Sequence, residues 1–329
     1  DMASVLDRSK GVVSRRSGGL GTPATFYLNG LSGKRLRFFV DGIPVDGSAL
    51  GFGPADLPVN LIDRVEIFKG VVPIRFGADA LGGAVNFVSR DFGNKPLLES
   101  SVELASFGTL RTSTVGFMPL RTDLGLYARS QAYFDRSLNN YPIDVQAADR
   151  QGHLQQRTVR RFHDEYQAYG VGAEIGFRDR PWADRLSLRV FHARNDKDLQ
   201  SNVMMTVPYG DVKLGDQAVA TTLHYQLLDR RTSPIGIEIL VNYADRTGYV
   251  TDQSRNIWNW DGEVIGARSI PGERGTGTLV RTGQQTASGR LNVAWRMSDA
   301  WRLEFNSSPT FAHWQQNTRS LVAEDRPCT

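Results

Sequence analysis

The larger, C-terminal part of the chain alternates apolar and polar residues with a period of two. Every second residue is apolar from Ile235 to Tyr243, and the same pattern runs from Tyr169 to Phe177 and from Leu291 to Trp295. Successive side chains of a strand point to opposite faces of a sheet, so the alternation predicts strands with one apolar and one polar face. We predict nine such strands, over residues 97–106, 109–118, 123–135, 164–178, 184–196, 216–229, 235–248, 281–296 and 300–315.

The lengths of these strands and of their connections favour a membrane barrel over a soluble sandwich. Many strands exceed the five or six residues that are typical of globular strands and match the roughly nine to eleven tilted residues that cross a bilayer. After a tight hairpin at Phe107-Gly108, short turns such as Pro119 to Thr122 alternate with long polar loops such as Asn139 to His163. Outer-membrane barrels carry short turns on one rim and long loops on the other.

Two sets of side chains agree with a barrel. Aromatic residues fall near the short turns, where an interfacial girdle is expected: Phe177, Trp182, Trp295 and Trp301. Polar residues fall on the face opposite the apolar one: Arg129, Gln131, Glu174, Arg189, Glu238, Arg290, Arg296 and Arg302. Since Arg or Lys in the middle of the lipid face costs roughly 2–4 kcal/mol, this second set predicts a lumen that is either wide or filled by protein.

The N-terminal residues follow a different pattern. Short apolar runs at 25–28, 36–40, 65–68 and 84–88 are separated by glycine-rich turns, and residues 56–62 fit one or two helical turns. This pattern predicts a small α+β domain over residues 1–95, followed by barrel strands over residues 96–329.

Composition excludes several other classes of protein. The 329 residues are 40% hydrophobic and 22% charged, which is typical of a folded chain, and the net charge of +4 is too small to suggest nucleic-acid binding. No apolar run is long enough to predict a transmembrane helix. The five histidines are scattered, with no metal-ligand spacing, and no phosphate-loop or nucleophile-elbow motif occurs, so we predict neither an enzyme nor a metal site. The single cysteine, Cys328, is interpreted as a free thiol or as half of a loop disulfide.

Three motifs in order carry a resemblance to a known family. They are VDGIPV at residues 40–45, DRVEIFKG at 63–70 and FGADALGGAVNFVSR at 76–90. Together they resemble the plug of TonB-dependent outer-membrane receptors, over about residues 5–92. The resemblance implies a plug inside a transmembrane antiparallel β-barrel of about twenty-two strands, of which this chain would supply about nine. It therefore also implies that the chain is a piece of a longer protein, truncated at both ends, and that these residues alone should not transport.

The resemblance implies a function in the bacterial outer membrane. The expected activity is active transport of a scarce ligand, most often a ferric siderophore, driven by a TonB-type energy-transducing complex. A receptor for cobalamin, haem or an oligosaccharide, a signal-transducing receptor, and a surface lipoprotein as a further partner remain open alternatives, whereas the motifs argue against an adhesin or a structural barrel. The expected partners are outer-membrane lipid and a small chelate, without nucleic acid. We expect no cofactor bound by the protein itself, although its substrate can carry iron.

The resemblance also assigns candidate site residues. The plug apices that would bind ligand contain Arg15, Arg16, Ser32, Lys34, Arg35, Asp46 and Ser48. Their basic residues suit an anionic ligand, and the alternative is that each is a solvated turn charge. Aromatic and soft residues of the external loops are weaker ligand candidates: Tyr141, Met204, Tyr209, Trp258 and Trp260.

A third group is predicted to shape the plug or to contact the wall: Asn29, Arg64, Glu66, Lys69, Gly70, Gly77, Gly82 and Gly83. The family often has arginines at the positions of Asn29 and Lys69, and those arginines usually pair with barrel glutamates. Lysine keeps the charge without the bidentate fork, and asparagine keeps neither, which leaves the plug–wall electrostatics open.

Overall fold

The computed structural model describes residues 2–45, 53–76, 82–90, 93, 95–148, 153–202, 204–228, 234–275 and 277–320. The predicted site residues Asp46, Ser48 and Gly77 lie outside these ranges, as does Cys328, and the side chain of Lys34 is not described either. Within the described part, a small mixed domain, the plug, contacts one face of a large antiparallel sheet, the wall.

The described plug has one short helix, seven strands and four 3-10 turns. The helix and strands are α1 (Met2–Leu6), β1 (Val12–Arg16), β2 (Ala24–Leu28), β3 (Leu31–Ser32), β4 (Leu36–Val40), β5 (Ile43–Pro44), β6 (Ile62–Lys69) and β7 (Gly83–Ser89). They form a three-stranded sheet in the order β1-β2-β3 and a four-stranded sheet in the order β5-β4-β7-β6. The 3-10 turns are Gly33–Arg35, Pro54–Asp56, Val59–Leu61 and Ile74–Phe76.

The short apolar runs of the sequence form the core between the two plug sheets. Leu28 of β2 and Phe87 of β7 are buried there. Met2 and Leu6 of α1 pack against the same cluster and close its end. The sequence pattern did not predict α1, whereas the helical turns expected at residues 56–62 are the 3-10 turns Pro54–Asp56 and Val59–Leu61.

The wall consists of ten described strand segments. They are β8 (Leu97–Ala105), β9 (Thr109–Arg121), β10 (Leu126–Ser137), β13 (Tyr166–Arg180), β14 (Ala183–Asp198), β15 (Lys213–Leu227), β16 (Ile235–Asp252), β19 (Thr278–Arg296), β20 (Arg302–Ser307) and β21 (Thr310–Ser320). Each pairs antiparallel with its neighbour in chain order, and β20 and β21 both pair with β19. Two hairpins lie in the long loops: β11 (Pro142–Ala148) with β12 (Leu154–Arg160), and β17 (Asn256–Trp258) with β18 (Val264–Ala267).

The nine predicted barrel strands are all present, with ends shifted by a few residues. The ninth is divided into β20 and β21, but Ser307 faces Leu291 and Thr310 faces Ser288, so the register continues across the gap. The ladder breaks at Pro309, which has no N–H to donate. The two loop hairpins were not predicted, although Ile143, Val145 and Ala147 of β11 alternate with polar residues.

The two faces of the wall divide as the alternation predicted. Along β16, Ile239, Val241 and Tyr243 are exposed on the outer face, while Leu240 and Asn242 are buried on the inner face. The apolar outer band from Ile235 to Tyr243 spans about 26 Å along the strand, or roughly 20 Å across the membrane at a tilt of about 40°, which is comparable with the apolar band of outer-membrane barrels.

The connections define two rims of the wall. The short turns, with the exposed aromatics Trp182, Trp295 and Trp301, lie at one end, which we call the short-turn rim. The loops after β10, β14 and β16 lie at the other end, the long-loop rim. None of the described helices is both long and apolar enough to cross a membrane.

Candidate functional site

The first plug apex is attached to the wall at the long-loop rim. The loop from β1 to β2 places Gly19 and Leu20 against residues that follow β10. The N–H of Gly19 donates to the Tyr141 hydroxyl at 3.2 Å, and the N–H of Leu20 donates to Asn139 Oδ1 at 3.0 Å. Asn139 Nδ2 donates in turn to the Leu20 carbonyl at 2.9 Å. We call these four residues the outer latch.

The latch asparagine is held in place by the wall before it meets the plug. Asn139 is buried, and its φ of 48° lies in the left-handed region, which asparagine tolerates better than most residues. Its Oδ1 accepts from the Ser137 hydroxyl at 3.0 Å, and its Nδ2 also donates to the Asp164 carbonyl at 2.9 Å. The Asn139 side chain is therefore fixed in the position from which it hydrogen-bonds both the N–H and the carbonyl of Leu20.

Two glycines allow the apex loop to lie flush against the wall. A Cβ atom on Gly19 would overlap the side chain of Asn139, and one on Gly21 would overlap the ring of Tyr166. Gly21 also has a φ of +80°, which L side chains rarely adopt. The close contact needs both glycines, which explains the Gly-rich turn between β1 and β2.

Replacing Asn139 with alanine should release the apex loop. The change leaves the Leu20 N–H and carbonyl without their partner, at a cost of about 1–3 kcal/mol. We expect the amide hydrogen of Leu20 to exchange about tenfold faster or more, measured by hydrogen exchange on the natural gene product. Asn140→Ala is the matched control, since the described hydrogen bond of Asn140 uses its backbone carbonyl, which accepts from Arg160. Equal exchange in both variants would contradict the latch.

The predicted basic residues of the plug lie at two separate edges. Arg15 and Arg16 end β1 beside the latch, with Arg15 exposed and Arg16 partly buried. Ser32 is partly buried at the end of β3, on the other edge of the three-stranded sheet, and leads into the turn with the exposed Arg35. The structure thus places Arg15 and Arg16 at the rim and sets Arg35 apart from them.

Of the loop residues predicted to bind ligand, one belongs to the outer latch and others pack the long loops against each other. Tyr141 belongs to the latch, its ring lies 5.0 Å from the Arg161 guanidinium, and burial raises the pKa of its hydroxyl above the usual value. Trp260 is buried among Val145, Ala147 and Val159 of the β11–β12 hairpin. That packing gives Trp260 a structural role in joining two loops.

The other loop candidates follow the same division. Trp258 packs against Phe162 with ring centroids 5.9 Å apart and ring planes tilted by 34°, and its ring also covers Gly210. Tyr209 is buried, whereas Met204 is largely exposed. Of these three, Met204 is the side chain that lies open to a ligand.

A buried glutamate that the sequence did not single out joins two of the long loops. Glu273 accepts hydrogen bonds from the N–H groups of Gly210 and Asp211, at 3.1 and 3.0 Å. Burial raises the pKa of its carboxyl group. Nothing in the local pattern distinguishes this residue from the other polar loop residues, because its partners lie about sixty positions away in the chain.

A second plug–wall contact lies nearer the short-turn rim. Asp41 Oδ2 accepts from Arg189 Nη2 of β14 at 2.9 Å, and the Gly42 carbonyl accepts from Arg290 Nη1 of β19 at 2.8 Å. We call these four residues the inner anchor. The VDG motif at residues 40–42 and the inward-facing arginines were both visible in the sequence, but nothing there indicated that they meet.

Charge keeps the anchor ionised. Burial alone would raise the pKa of Asp41, but Arg189, Arg185 and Arg129 together lower it well below its usual range. A carboxyl with a depressed pKa stabilises the fold above its unfolded pKa of about 3.9, and that contribution is lost as the pH falls through the folded value. The ion pair is therefore fully present at neutral pH.

The wall glutamates beside the anchor accept from donors of the wall. Glu174 accepts from Tyr127 and Arg185, each at 2.7 Å, and from Arg189 at 3.1 Å. Glu238 likewise accepts from three wall side chains: His224 at 3.2 Å, Arg290 at 3.1 Å and Asn292 at 2.9 Å. Both glutamates border a polar cavity of about 500 Å³ between plug and wall.

Two of the residues predicted to shape the plug or to contact the wall make their described hydrogen bonds within the plug. Lys69 Nζ donates to the Lys10 carbonyl, and the Asn29 N–H donates to the Gly11 carbonyl at 2.9 Å. Both residues thus hold the turn before β1. Their partners differ from the barrel glutamates that the family resemblance implied for these positions.

Arg64 and Glu66 form an ion pair on β6 at 3.0 Å, and both line the cavity. The other Glu66 oxygen accepts from Asn86 Nδ2 at 3.0 Å, so this carboxylate joins β6 to β7. The pair therefore faces the wall across the cavity, and its described hydrogen bonds stay within the plug.

The described plug glycines serve the backbone of the four-stranded sheet. Gly70 ends β6 with a φ of +81°. The Gly82 N–H donates to the Arg35 carbonyl at 2.8 Å. A Cβ atom on Gly83 would meet Leu28 and the Phe68 carbonyl, both at 2.5 Å, so β7 can approach β2 and β6 because it begins with glycine.

Among the described residues, no group of three or more His, Cys, Asp or Glu side chains could hold a metal ion.

Comparison with known proteins agrees with this architecture. Residues 1–84 match the family model of the TonB-dependent Receptor Plug Domain. Over 88 residues, 27% of this chain and 14% of the relative, the sequence is 33% identical to the vitamin B12 transporter BtuB of Vibrio vulnificus (strain CMCP6).

Solved structures extend the likeness to the wall. The structure of the copper transporter OprC superposes with a TM-score of 0.68 at 14% identity, over 97% of this chain and 43% of OprC. The pyoverdine outer-membrane receptor FpvA of Pseudomonas aeruginosa PAO1 gives a TM-score of 0.63 at 13% identity, over 96% of this chain and 44% of FpvA. The chain spans less than half the length of each of these relatives. The predicted fold class, a plug followed by part of an antiparallel transmembrane barrel, is confirmed.

Proposed function

We propose, from this chain's membership of the TonB-dependent outer-membrane receptors, that the natural protein actively imports a scarce ligand. The family places the chain in the bacterial outer membrane. Because its members are receptors and transporters, the prediction that the chain is not an enzyme is confirmed. Import through a filled lumen requires that the plug move, and a TonB-type complex would supply the energy for that movement.

An anionic metal chelate, most simply a ferric siderophore, is the ligand class that we propose. The observation that carries this choice is the position of Arg15 and Arg16, at the end of β1 and beside the outer latch at the long-loop rim. Guanidinium groups at this rim attract anions and bind carboxylate or phenolate oxygens by charge-assisted hydrogen bonds. Iron would then enter as part of the substrate, and the protein itself would need no cofactor.

The names of the relatives leave other ligands as outcomes of the test. BtuB is named for vitamin B12, OprC for copper, and FpvA was solved with pyoverdine. The identity to BtuB is confined to 88 residues, whereas the ligand face also includes the long loops of the wall. A cobalamin, haem or oligosaccharide receptor, or a receptor that signals ligand presence, would show the same plug.

The proposal is tested by uptake of radiolabelled iron from the organism's own siderophore. Cells with and without the gene are compared, each with and without a protonophore. Uptake that needs both the gene and the proton gradient supports energised transport of the chelate. Uptake that is independent of the gene overturns the ligand class, and the same assay is then repeated with cobalamin and haem.

Replacing Arg16 with alanine should weaken binding of the ferric chelate about tenfold, or roughly 1.4 kcal/mol. Arg15→Ala should act in the same direction, because both guanidinium groups lie at the same apex. Binding is measured on the natural gene product by titration with the ferric siderophore. Arg64→Ala is the control, since this exposed arginine pairs with Asp63 and Glu66 beside the cavity, away from the latch. Unchanged affinity in both apex variants would remove these residues from the site.

A further inference from the structure

The two plug positions at which the resemblance implied arginines turn towards the plug itself. Lys69 Nζ donates to the Lys10 carbonyl, and the backbone N–H of Asn29 donates to the Gly11 carbonyl. Glu174 and Glu238, the wall glutamates beside the inner anchor, accept from side chains of neighbouring wall strands. A plug cation on a wall carboxylate therefore does not account for how this plug is held at the inner contact.

The inner anchor has the opposite polarity, with a carboxylate on the plug and guanidinium groups on the wall. Arg189 donates through Nε to Glu174 and through Nη2 to Asp41. Arg290 donates through Nη2 to Glu238 and through Nη1 to the Gly42 carbonyl. Each arginine thus bridges one wall glutamate and one plug residue, so the glutamates orient the arginines and the arginines hold the plug.

The plug turn at the anchor is tied firmly to the plug core. Asp41 accepts from the Ser89 N–H at 2.8 Å and from the Ser89 hydroxyl at 2.7 Å. The Gly42 N–H donates to Asn86 Oδ1 at 3.0 Å. Asp41 and Gly42 have φ angles of 50° and 77°, a left-handed shape that fixes the direction of the turn. A force on the turn is therefore passed to both β4 and β7.

We infer that Arg189 and Arg290 are positioning residues that keep the plug seated, and that their contacts with Asp41 and Gly42 must break before the plug can move. Both pairs are well buried, and the side chains of Asp41, Arg189 and Arg290 are only 9, 15 and 8% exposed. Breaking such a pair leaves charges in a poorly hydrated place, so the contact resists separation strongly. The inference rests on the proposed function only in that passage of a ligand requires plug movement.

The inner anchor also borders the cavity, so release of the plug turn from the wall can be measured as an ion current. Asp41, Gly42 and Arg290 line the 500 Å³ space together with charged residues of both plug and wall. A lining this polar is wetted, so a plug turn that leaves the wall opens a hydrated path for ions. Ion current across a membrane then reports release without any ligand or energising partner.

The test measures single-channel openings of the natural gene product in planar phosphatidylcholine bilayers. The variants are Asp41→Asn, Arg189→Gln and Arg290→Gln, each of which removes the charge from one side of a contact. Asp63→Asn is the matched control, because Asp63 lines the same cavity but pairs with Arg64 of the plug. The midpoint of unfolding in urea is recorded for every variant, so that a gain in channel openings can be compared with any loss of stability.

We expect Asp41→Asn and Arg290→Gln to open at least tenfold more often than the wild type, and Asp63→Asn to behave like the wild type. The double variant Asp41→Asn/Arg189→Gln should open no more often than the more active of its two single variants, because both changes break one contact. Wild-type opening frequencies in both anchor variants would overturn the inference. So would equal gains in Asp63→Asn, or single effects that multiply in the double variant. Because no ligand is used, failure of the ligand proposal leaves this result unaffected.

Discussion

Replacing Glu174 with glutamine should lower the free energy of unfolding of the wall by roughly 3–5 kcal/mol. The Glu174 side chain is 3% exposed and accepts from Tyr127, Arg185 and Arg189. Glutamine keeps the size and one acceptor oxygen but removes the negative charge that compensates two buried guanidinium groups. The loss of an ionic partner in a buried network is among the most costly single changes known in proteins.

The measurement is urea unfolding of the natural gene product in lipid vesicles. Glu304→Gln is the matched control, because Glu304 pairs with Arg302 on the same wall while both side chains are 54% exposed. An exposed pair of this kind contributes about 0.2–1 kcal/mol. If the two variants lost similar stability, the buried network around Glu174 would not be a determinant of the wall.

Placing an arginine at Val241 should destabilise the protein in the membrane by about 2–4 kcal/mol. Val241 lies on the outer face of β16 between Ile239 and Tyr243 and is exposed in the structure. This position is within the apolar band, so the new guanidinium would face lipid hydrocarbon. The same vesicle unfolding assay measures the loss, and assembly into the outer membrane of cells should fall with it.

Thr247→Arg supplies the control for depth. Thr247 lies on the same strand and the same face, beyond the end of the apolar band and near Asp245. A charge near the membrane interface costs only about 0–1 kcal/mol. Equal losses for the two arginines would mean that the outer face of β16 does not lie in lipid as the alternation indicates.

The wall could be predicted from the sequence because its signal is local. Alternation along β13, β14 and β16 defines both the strand and its two faces, and one-residue slips would turn apolar side chains into the lumen. The alternation of short turns and long loops then assigned each end of a strand to a rim. Pro309, which divides the ninth strand, was visible as well, although its effect on the ladder required the register.

The plug could be predicted for a different reason. Its motifs are specific as an ordered series, and the later match of residues 1–84 to the plug model agrees with them. Individual contacts were harder to predict. Lys69 and Asn29 were predicted to shape the plug or to contact the wall; the Lys69 side chain donates to the Lys10 carbonyl and the backbone N–H of Asn29 to the Gly11 carbonyl, contacts that no local pattern indicated.

The outer latch and the inner anchor depend on pairs that are far apart in the chain. Leu20 meets Asn139 across 119 positions, and Gly42 meets Arg290 across 248. No periodicity or local motif links residues at such separations. The buried Glu273 between two loops was missed for the same reason.

The sequence by itself determined the class of protein, the strands and their lipid and lumen faces, because those properties follow from side-chain period and from ordered local motifs. Only the tertiary structure decided which residues hold the plug. The direction of an arginine on the inner face depends on which plug turn lies opposite it, and that is set by the packing of the whole plug against the wall. The reversed polarity of the inner anchor, with Asp41 on the plug and Arg189 on the wall, is therefore a property of the assembled fold.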